Sequence, residues 1–310
     1  MVFCGTPQFA VPSLKYLLTQ EEFEIAGIFT QPDRPSGRGQ EISFSPVKAV
    51  ALAAGIPVYQ PQKIRAPEAE EQLRALAPSV IVIIAYGQII PARLLSIPEH
   101  GWINLHASLL PKYRGAAPIN WAIVNGETRT GNTTMRIDAG MDTGEMLLQE
   151  ELAIGPKETA PEVAARLSEA GAPLMARTLR GLRDGTLTGR AQNHAEASLA
   201  PMLKREDGLI DWTQSAQAIF NRMRGFAPWP GTFSEFRGQT CHLWGEPVSN
   251  EVADASPGTL LQLKGGLRVA CEQGSVLQLS SVKLEGRKQV SAAEFANGAR
   301  LQVGERLGKW

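Results

Sequence analysis

The chain has 310 residues, 43% of them hydrophobic, and its 31 lysine and arginine residues are balanced by 31 aspartate and glutamate residues. This length predicts two domains, and the ordinary apolar fraction with zero net charge excludes an intrinsically disordered protein. The longest apolar run, residues 80–85, is far shorter than the ~20 residues of a membrane-spanning helix, and we expect no signal peptide, because the first residues carry no basic flank.

Three cysteines lie far apart in the sequence and form no CxxC pair. Neither a disulfide framework nor a structural zinc site is expected. We predict a cytoplasmic protein that binds neither a membrane nor a metal ion.

The first half of the chain alternates short runs that are apolar on both faces with helical patterns. This alternation is typical of a buried parallel sheet in an α/β layer. Ser45 and Pro46 have the residue types of a helix N-cap and first turn. We predict, in chain order, a strand at residues 2–4, a helix at 10–19, a strand at 23–30, a helix opened by Ser45 and Pro46, a helix at 67–77, strands at 79–85, 133–137 and 146–153, and a long helix at 159–184.

The pattern changes near residue 206. Residues 211–226 predict one helical stretch, and the short strands after it are separated by glycine-containing turns. Such strands at about 8–12-residue spacing are typical of a small β-barrel. We predict strands at residues 232–236, 241–244, 258–263, 267–271 and 276–284, and hence a domain of residues 1–188, a linker of 189–206 and a domain of 207–310.

Asn104 and His106 carry the densest chemical signal. If residues 102–106 form a strand, the two side chains point to the same face. A carboxamide and an imidazole directed at one point can donate hydrogen bonds to a carbonyl oxygen as it becomes an oxyanion. The alternative, a strand end with two satisfied polar side chains, remains open on spacing alone.

A dinucleotide-binding fingerprint is absent, because the turn after the first strand has one glycine, Gly5, where three are needed.

Residues 138–144 carry two aspartates, Asp138 and Asp142, directly after the predicted strand 133–137. Ligands of open α/β sheets bind beyond the carboxyl ends of the strands, and this loop and His106 are both expected there. An aspartate next to a histidine favours the imidazolium and orients it. The alternative is an Asp-Gly turn whose side chains cap backbone amides.

Arg34 and Arg38 lie on a loop framed by glycine and proline. A guanidinium is a rigid fork of donors suited to a phosphate or a base edge, although a solvated surface loop remains an equal alternative.

These segments together resemble the methionyl-tRNA formyltransferases over nearly the whole chain. The Asn-x-His of residues 104–106 with the Ser-Leu-Leu-Pro of residues 108–111 is shared by formyltransferases that use formyltetrahydrofolate. The Gln-Pro-Asp-Arg loop from Gln31 and the Phe-Ala-Pro-Trp-Pro segment from Phe226 narrow the resemblance to the tRNA enzymes.

The resemblance implies a Rossmann-like parallel-sheet catalytic domain followed by an OB-like β-barrel that binds tRNA. It implies formyl transfer from 10-formyltetrahydrofolate to the α-amino group of methionyl initiator tRNA by a monomer. The implied site residues are Asn104, His106 and Asp142 for catalysis, Ser108, Leu109, Leu110 and Pro111 for folate, and Arg34, Arg38, Lys204 and Arg205 for tRNA.

The chain departs from the family at a short first strand, at Gln40 and Glu41, where relatives are usually basic, and at Asn132, where an apolar residue is usual. Two other functions remain open: a folate-dependent formyltransferase for a small amine, such as a sugar nucleotide or glycinamide ribonucleotide, and a non-enzymatic RNA-binding module.

Overall fold

The computed structural model describes residues 1–36, 41–261, 266–302 and 304–308. The chain divides into two compact units. Segment 189–206, the predicted linker, is shared between them: it belongs to the first unit as far as Pro201 and to the second from Met202. The first unit comprises Met1–Pro118, Arg129–Ala153 and Val163–Pro201, and the second comprises Ile119–Thr128, Ile154–Glu162 and Met202–Trp310.

Strands and helices alternate through the first half of the chain. The strands are β1 (Val2–Gly5), β2 (Gly27–Phe29), β3 (Arg34–Ser36), β4 (Glu41–Ser43), β5 (Val58–Tyr59), β6 (Ile81–Ile84), β7 (Trp102–His106), β8 (Arg129–Arg136) and β9 (Met146–Ala153). The helices are α1 (Val11–Leu18), α2 (Pro46–Ala53), α3 (Pro67–Ala75), α4 (Ala92–Leu95), α5 (Pro118–Val124) and α6 (Ala160–Arg183).

Helices cover both faces of a seven-stranded sheet of order β5-β2-β1-β6-β7-β8-β9. Every residue of β1 and β6 is buried, because alternate residues enter two different cores. Phe3 and Val82 pack with α1, α2 and α6 on one face, whereas Cys4 and Ile83 pack with α3 and α4 on the other. At the start of α2 the Ser45 side chain accepts a hydrogen bond from the Lys48 amide, so the predicted N-cap is confirmed.

The sheet is parallel only as far as β7. Strands β8 and β9 extend it, as predicted, but β8 runs antiparallel to β7, and β9 runs antiparallel to β8. Asn132 on β8 is fully buried, and its side-chain nitrogen donates to the Leu167 carbonyl at 2.7 Å. Its side-chain oxygen has no hydrogen-bond partner among the described residues. Asn132, where relatives usually have an apolar residue, therefore has only one of its two buried side-chain polar atoms hydrogen-bonded.

The second unit is built around an antiparallel sheet. Its later elements are α7 (Ala216–Gly225), β10 (Phe233–Phe236), β11 (Gln239–Val248), β12 (Leu267–Ala270), β13 (Val276–Leu284), β14 (Val290–Ser291) and α8 (Ala292–Gly298). The strand order is β10-β11-β13-β12, with β14 paired to β13, so the predicted barrel is a curled half-barrel in the described part of the chain.

Two sequence predictions for this unit need correction. Helix α7 begins at Ala216 rather than at residue 211, because the Ser215 side chain caps it and Asp211 folds a turn with the Thr213 amide at 2.9 Å. Residues 258–261 do not form a strand: Thr259 and Leu260 make only isolated bridges, and residues 262 and 263 lie outside the described ranges. No helix in the described ranges combines the length and apolar character required to cross a membrane.

Candidate active site

Strand β7 orients the two residues of the Asn-x-His pair. Ile103 and Leu105 pack into the core with α6, so Asn104 and His106 point to the opposite face. His106 is 5% exposed, and its Nε2 lies 2.9 Å from the Tyr113 carbonyl oxygen. A carbonyl oxygen can only accept, so Nε2 carries a proton and Nδ1 is the nitrogen left for chemistry.

Asn104 is half-buried on the same face as His106. No hydrogen bond joins its side chain to another residue of the described chain. An amide that is directed into a site without an internal partner provides an open donor and an open acceptor. It therefore suits a carbonyl group brought in by a substrate.

Asp142 is the carboxylate that the structure brings to His106. Its Oδ2 lies 3.6 Å from His106 Nδ1 and accepts a hydrogen bond of 2.8 Å from the Gly115 amide. Asp138 behaves differently: it is exposed, and its Oδ1 accepts from the Gly140 amide and the Thr143 hydroxyl. One aspartate of the loop thus forms the turn, and the other faces the imidazole.

Asp142 reaches His106 by a different route from the one predicted. The loop was expected beyond the carboxyl end of a parallel strand, next to the end of β7. Because β8 is antiparallel, Arg136 at its end pairs with Ile103 near the start of β7, whereas His106 pairs with Thr133. The loop therefore leaves the sheet at the opposite end and folds back along it.

The Ser-Leu-Leu-Pro segment forms the turn after β7. Ser108 and Leu110 are buried, and the Ser108 hydroxyl donates to the Lys112 carbonyl at 2.7 Å. The Thr133 hydroxyl donates to the Ser108 carbonyl at 2.6 Å and accepts from the Leu110 amide at 3.1 Å. Leu109 and Pro111 are only half-buried, so they and the backbone are the parts of the turn that can contact a ligand.

The four arginine and lysine candidates fall in separate parts of the chain. Arg34 is exposed on β3, and Lys204 and Arg205 are exposed in the second unit. Arg38 lies outside the described residues. Next to Arg34, the Asp33 carboxylate is paired with Lys48 and accepts from Gln60, and these hydrogen bonds hold its pKa below the ordinary value.

Three residues that shape the site were not among the site residues predicted from the sequence. Thr133 holds the Ser108–Leu110 backbone, Gly115 binds the Asp142 carboxylate, and Gln192 donates to the Asp142 carbonyl at 2.8 Å. Gln192 lay in the predicted linker. The first two act through one hydroxyl and one backbone amide, which no residue pattern identifies.

In the described ranges, no group of three or more His, Cys, Asp or Glu side chains could hold a metal ion. All three cysteines are free and buried. Burial raises the pKa of each thiol, to about 12 for Cys241 and Cys271. Nucleophilic thiol chemistry therefore has no support, because the thiolate is the reactive form.

Comparisons with known proteins identify two matching families and many full-length relatives. Residues 1–179 match the formyl transferase family, and residues 202–300 match the formyl transferase C-terminal domain family. The methionyl-tRNA formyltransferase of Solibacter usitatus is 52% identical over 309 residues, covering 100% of this chain and 98% of its own length. That of Geobacter metallireducens is 51% identical, covering 99% and 98%.

Solved structures of formyltransferases share the fold at much lower identity. WlaRD, a sugar 3N-formyltransferase crystallised with dTDP and 5-N-formyl-THF, superimposes with a TM-score of 0.66 at 18% identity, covering 93% of this chain and 98% of its own. At that identity the likeness establishes the fold alone. The full-length identities of about one half decide the family: the chain belongs to the methionyl-tRNA formyltransferases.

Proposed function

We propose that Asn104, His106 and Asp142 carry out the reaction of this family, in which a formyl group passes from 10-formyltetrahydrofolate to the α-amino nitrogen of methionyl initiator tRNA. One observation carries the assignment: His106 Nδ1 faces Asp142 Oδ2 at 3.6 Å on a buried strand whose Asn104 amide is open on the same face.

The demands of the reaction match these three side chains. The folate co-substrate supplies an electrophilic formyl carbon. The attacking α-amino group has an ordinary pKa near ~8, so a useful fraction is free base at neutral pH and no strong base is needed. The protein must supply orientation, hydrogen bonds for the developing oxyanion and a path for one proton.

Asn104 and the protonated His106 donate to the formyl oxygen as negative charge develops on it. His106 donates through Nδ1, because its Nε2 proton is directed to the Tyr113 carbonyl. Asp142 accepts the proton that the amine loses, and the proton passes to the folate nitrogen that leaves. The separation of 3.6 Å between His106 and Asp142 is longer than a hydrogen bond, so a water or a substrate atom beside the pair can contact both.

The turn of Ser108, Leu109, Leu110 and Pro111 is proposed to contact the folate. Its buried Ser108 and Leu110 side chains fix the backbone, and its half-buried Leu109 and Pro111 present apolar surface. A ring system of mixed polarity suits such a surface, because backbone groups can meet its polar edge while apolar side chains cover its face.

Binding of tRNA is proposed for Arg34, Arg38, Lys204 and Arg205. In the second unit, Arg205 and Lys283 lie near His242, and after burial these two cations are the main causes of its lowered pKa. A positive surface of this kind attracts phosphate groups. We also propose that the enzyme is cytoplasmic and monomeric. Light scattering of the purified protein tests the monomer, and fractionation of cells tests the location.

Formylation assays test the function directly. The protein is incubated with 10-formyltetrahydrofolate and either methionyl initiator tRNA, an amino-sugar nucleotide or glycinamide ribonucleotide. We expect formylmethionyl-tRNA as the product and no formylation of the small amines, with the His106→Ala variant as the inactive control. Transfer to a small amine with none to tRNA would contradict the proposal, and no transfer to any acceptor would favour a non-enzymatic module.

A further inference from the structure

The position of Asp142 depends on more than its own loop. The loop starts at Arg136, which pairs with Ile103 near the start of β7, and must return along the sheet to place Asp142 beside His106. Asp142 also has a φ of 52°, a left-handed backbone conformation that is unfavourable for a residue with a side chain. A loop that is both folded back and strained needs restraints from outside it.

Gln192 supplies two of these restraints. Its side-chain nitrogen donates to the Asp142 carbonyl and to the Gly144 carbonyl, each at 2.8 Å. Gln192 is 6% exposed and is distant in sequence from the loop. Its one amide group therefore fixes the backbone of Asp142 and the backbone two residues later.

Arg114 fixes the orientation of Gln192. The Arg114 guanidinium donates from Nε at 3.0 Å and from Nη2 at 2.7 Å to the Gln192 side-chain oxygen. With its oxygen bound to two donors and its nitrogen bound to two carbonyls, the Gln192 amide has only one orientation that satisfies all four bonds.

Arg114 is itself nearly inaccessible, at 6% exposure. The third contact of its guanidinium joins Nη1 to His194 Nδ1 at 3.2 Å. Among the described residues no carboxylate forms an ion pair with it. A buried cation held only by neutral groups is costly for folding. A contribution to folding stability therefore does not explain why Arg114 is buried at this position.

Gly115, the residue after Arg114, binds the side chain of Asp142. The Gly115 amide donates to the Asp142 carboxylate, while Arg114 holds the Asp142 backbone through Gln192. Gly115 has a φ of 120°, and a Cβ there would lie 2.6 Å from the Ala200 carbonyl oxygen, so only glycine allows this approach. The consecutive residues Arg114 and Gly115 therefore restrain both the backbone of Asp142, through Gln192, and its side chain.

We propose that Arg114 and Gln192 are a positioning pair that holds the Asp142 carboxylate against His106 Nδ1 without touching either substrate. The proposal rests on the catalytic role of Asp142 given above. Without Gln192, the loop loses the hydrogen bonds at the Asp142 and Gly144 carbonyls, and the Asp142 carboxylate moves relative to the imidazole. Misplacement by about 1 Å is enough to lower turnover ~100-fold.

Gln192→Leu and Gln192→Glu test the pair. The leucine removes all four hydrogen bonds at similar volume. The glutamate keeps an acceptor for Arg114 but loses both donors to the loop. For both variants we expect kcat to fall ~10- to 100-fold, with the KM values for methionyl-tRNA and for 10-formyltetrahydrofolate within about twofold of the wild-type values.

Asn193→Ala is the matched control, because the Asn193 side chain contacts Glu196 and the Ala195 amide rather than the loop. Its kcat should equal that of the wild type. Gln192→Glu guards against misfolding better than Gln192→Leu, since its carboxylate still pairs with the buried Arg114 guanidinium, and the Tm of each variant is measured with its kcat. A Gln192→Glu enzyme with wild-type Tm and wild-type kcat would overturn the proposal.

A double-variant cycle separates positioning from general structural support. If Gln192 acts through Asp142, Asp142→Asn combined with Gln192→Leu is no slower than Asp142→Asn alone. Multiplicative losses would overturn the positioning role and leave Gln192 as a structural residue. The two proposals fail separately: full activity of Asp142→Asn would refute the proposed function, whereas a slow Asp142→Asn with a fast Gln192→Leu would refute only the positioning pair.

Discussion

The surroundings of His106 and the outer face of the second unit's sheet use polar side chains in opposite ways. Around His106 the polar groups are buried, and most are bound to one another or to backbone. On β11 the side chains alternate, with Cys241 and Leu243 in the core and His242 and Trp244 on the outer face. Trp244 is 38% exposed.

This outer face combines rings with positive charge. The His242 and Phe233 ring centroids are 5.7 Å apart, and those of His242 and Trp244 are 6.4 Å apart. Lys283 pairs with His242 across the strands, and Arg205 also acts on it. Chemistry requires groups that do not reorganise, whereas recognition of a large anion requires charges and rings that the ligand can reach. Variants in the first region should therefore change kcat, and variants in the second should change KM.

The largest expected effect is that of His106→Ala. The variant loses one donor to the developing oxyanion, so turnover should fall at least ~10²–10³-fold. Equilibrium binding of the folate should change little, because the turn of Ser108–Pro111 is held by Thr133 rather than by His106. Steady-state rates with methionyl-tRNA and a folate titration measure the two effects. Near-normal turnover would mean that the imidazole is structural.

Asp142→Asn should come next. An amide cannot accept the proton that the amine loses, so kcat should fall about 10²-fold with little change in either KM. Asp138→Asn is the matched control, because Asp138 binds only groups of its own loop. Its kcat should stay within a few-fold of the wild-type value. If Asp138→Asn were the slower enzyme, the proton-accepting role would belong to Asp138.

Smaller effects on KM are expected on the outer face. Arg205→Ala and Lys283→Ala should each raise the KM for methionyl-tRNA several-fold and leave kcat and folate binding unchanged. Each lost phosphate contact reduces the log–log salt slope by about 0.9 on duplex nucleic acid. Arg38→Ala should behave in the same way. Lys15→Ala, an exposed lysine of α1 in the first unit, is the control, and an equal effect there would show non-specific electrostatics.

Asn132→Val tests stability apart from activity. The valine removes a buried oxygen without a partner, which costs about 1–3 kcal/mol, and loses one hydrogen bond worth about 1 kcal/mol. We expect the free energy of unfolding to rise by ~1 kcal/mol, which raises Tm by about 2–4 °C. Thermal unfolding and the formylation rate are measured together. A lower Tm would show that the bond to α6 outweighs the unpaired oxygen.

The smallest effect concerns pH. The pKa of His242 is lowered from 6.5, first by burial and then by Lys283 and Arg205. The unfolded chain therefore binds this proton more readily, and the free energy of unfolding should fall as pH drops from about 6.5 through the lowered value. His242→Gln should reduce that fall. Denaturant unfolding of both proteins at pH 7.5 and 5.5 gives the comparison, and equal pH dependence would exclude a contribution from His242.

The fold and the placement of Asn104 and His106 on one face of a strand could be predicted from the sequence because they depend on local patterns. Alternating apolar runs predicted the buried strands β1 and β6, and the two-residue spacing placed Asn104 and His106 on one face of β7. The family was identified from short motifs that the full-length relatives confirm.

What the sequence could not predict are relations between distant segments. The direction of β8 depends on which strand it pairs with, so the path of the Asp142 loop was wrong. Gln192 lay in a polar stretch that looked like a linker, because nothing in its neighbours shows that its amide binds a loop 50 residues earlier.

The three buried thiols make unfolding visible by chemical labelling. Cys4 lies in the core of the first unit, whereas Cys241 and Cys271 lie in the core of the second. A thiol reagent reaches these groups only when the surrounding structure opens, because all three are buried, and burial also disfavours the reactive thiolate. One label on Cys4 reports opening of the first unit, and two labels on the other cysteines report opening of the second. Mass spectrometry of the labelled native enzyme can thus follow each unit separately, without an engineered probe.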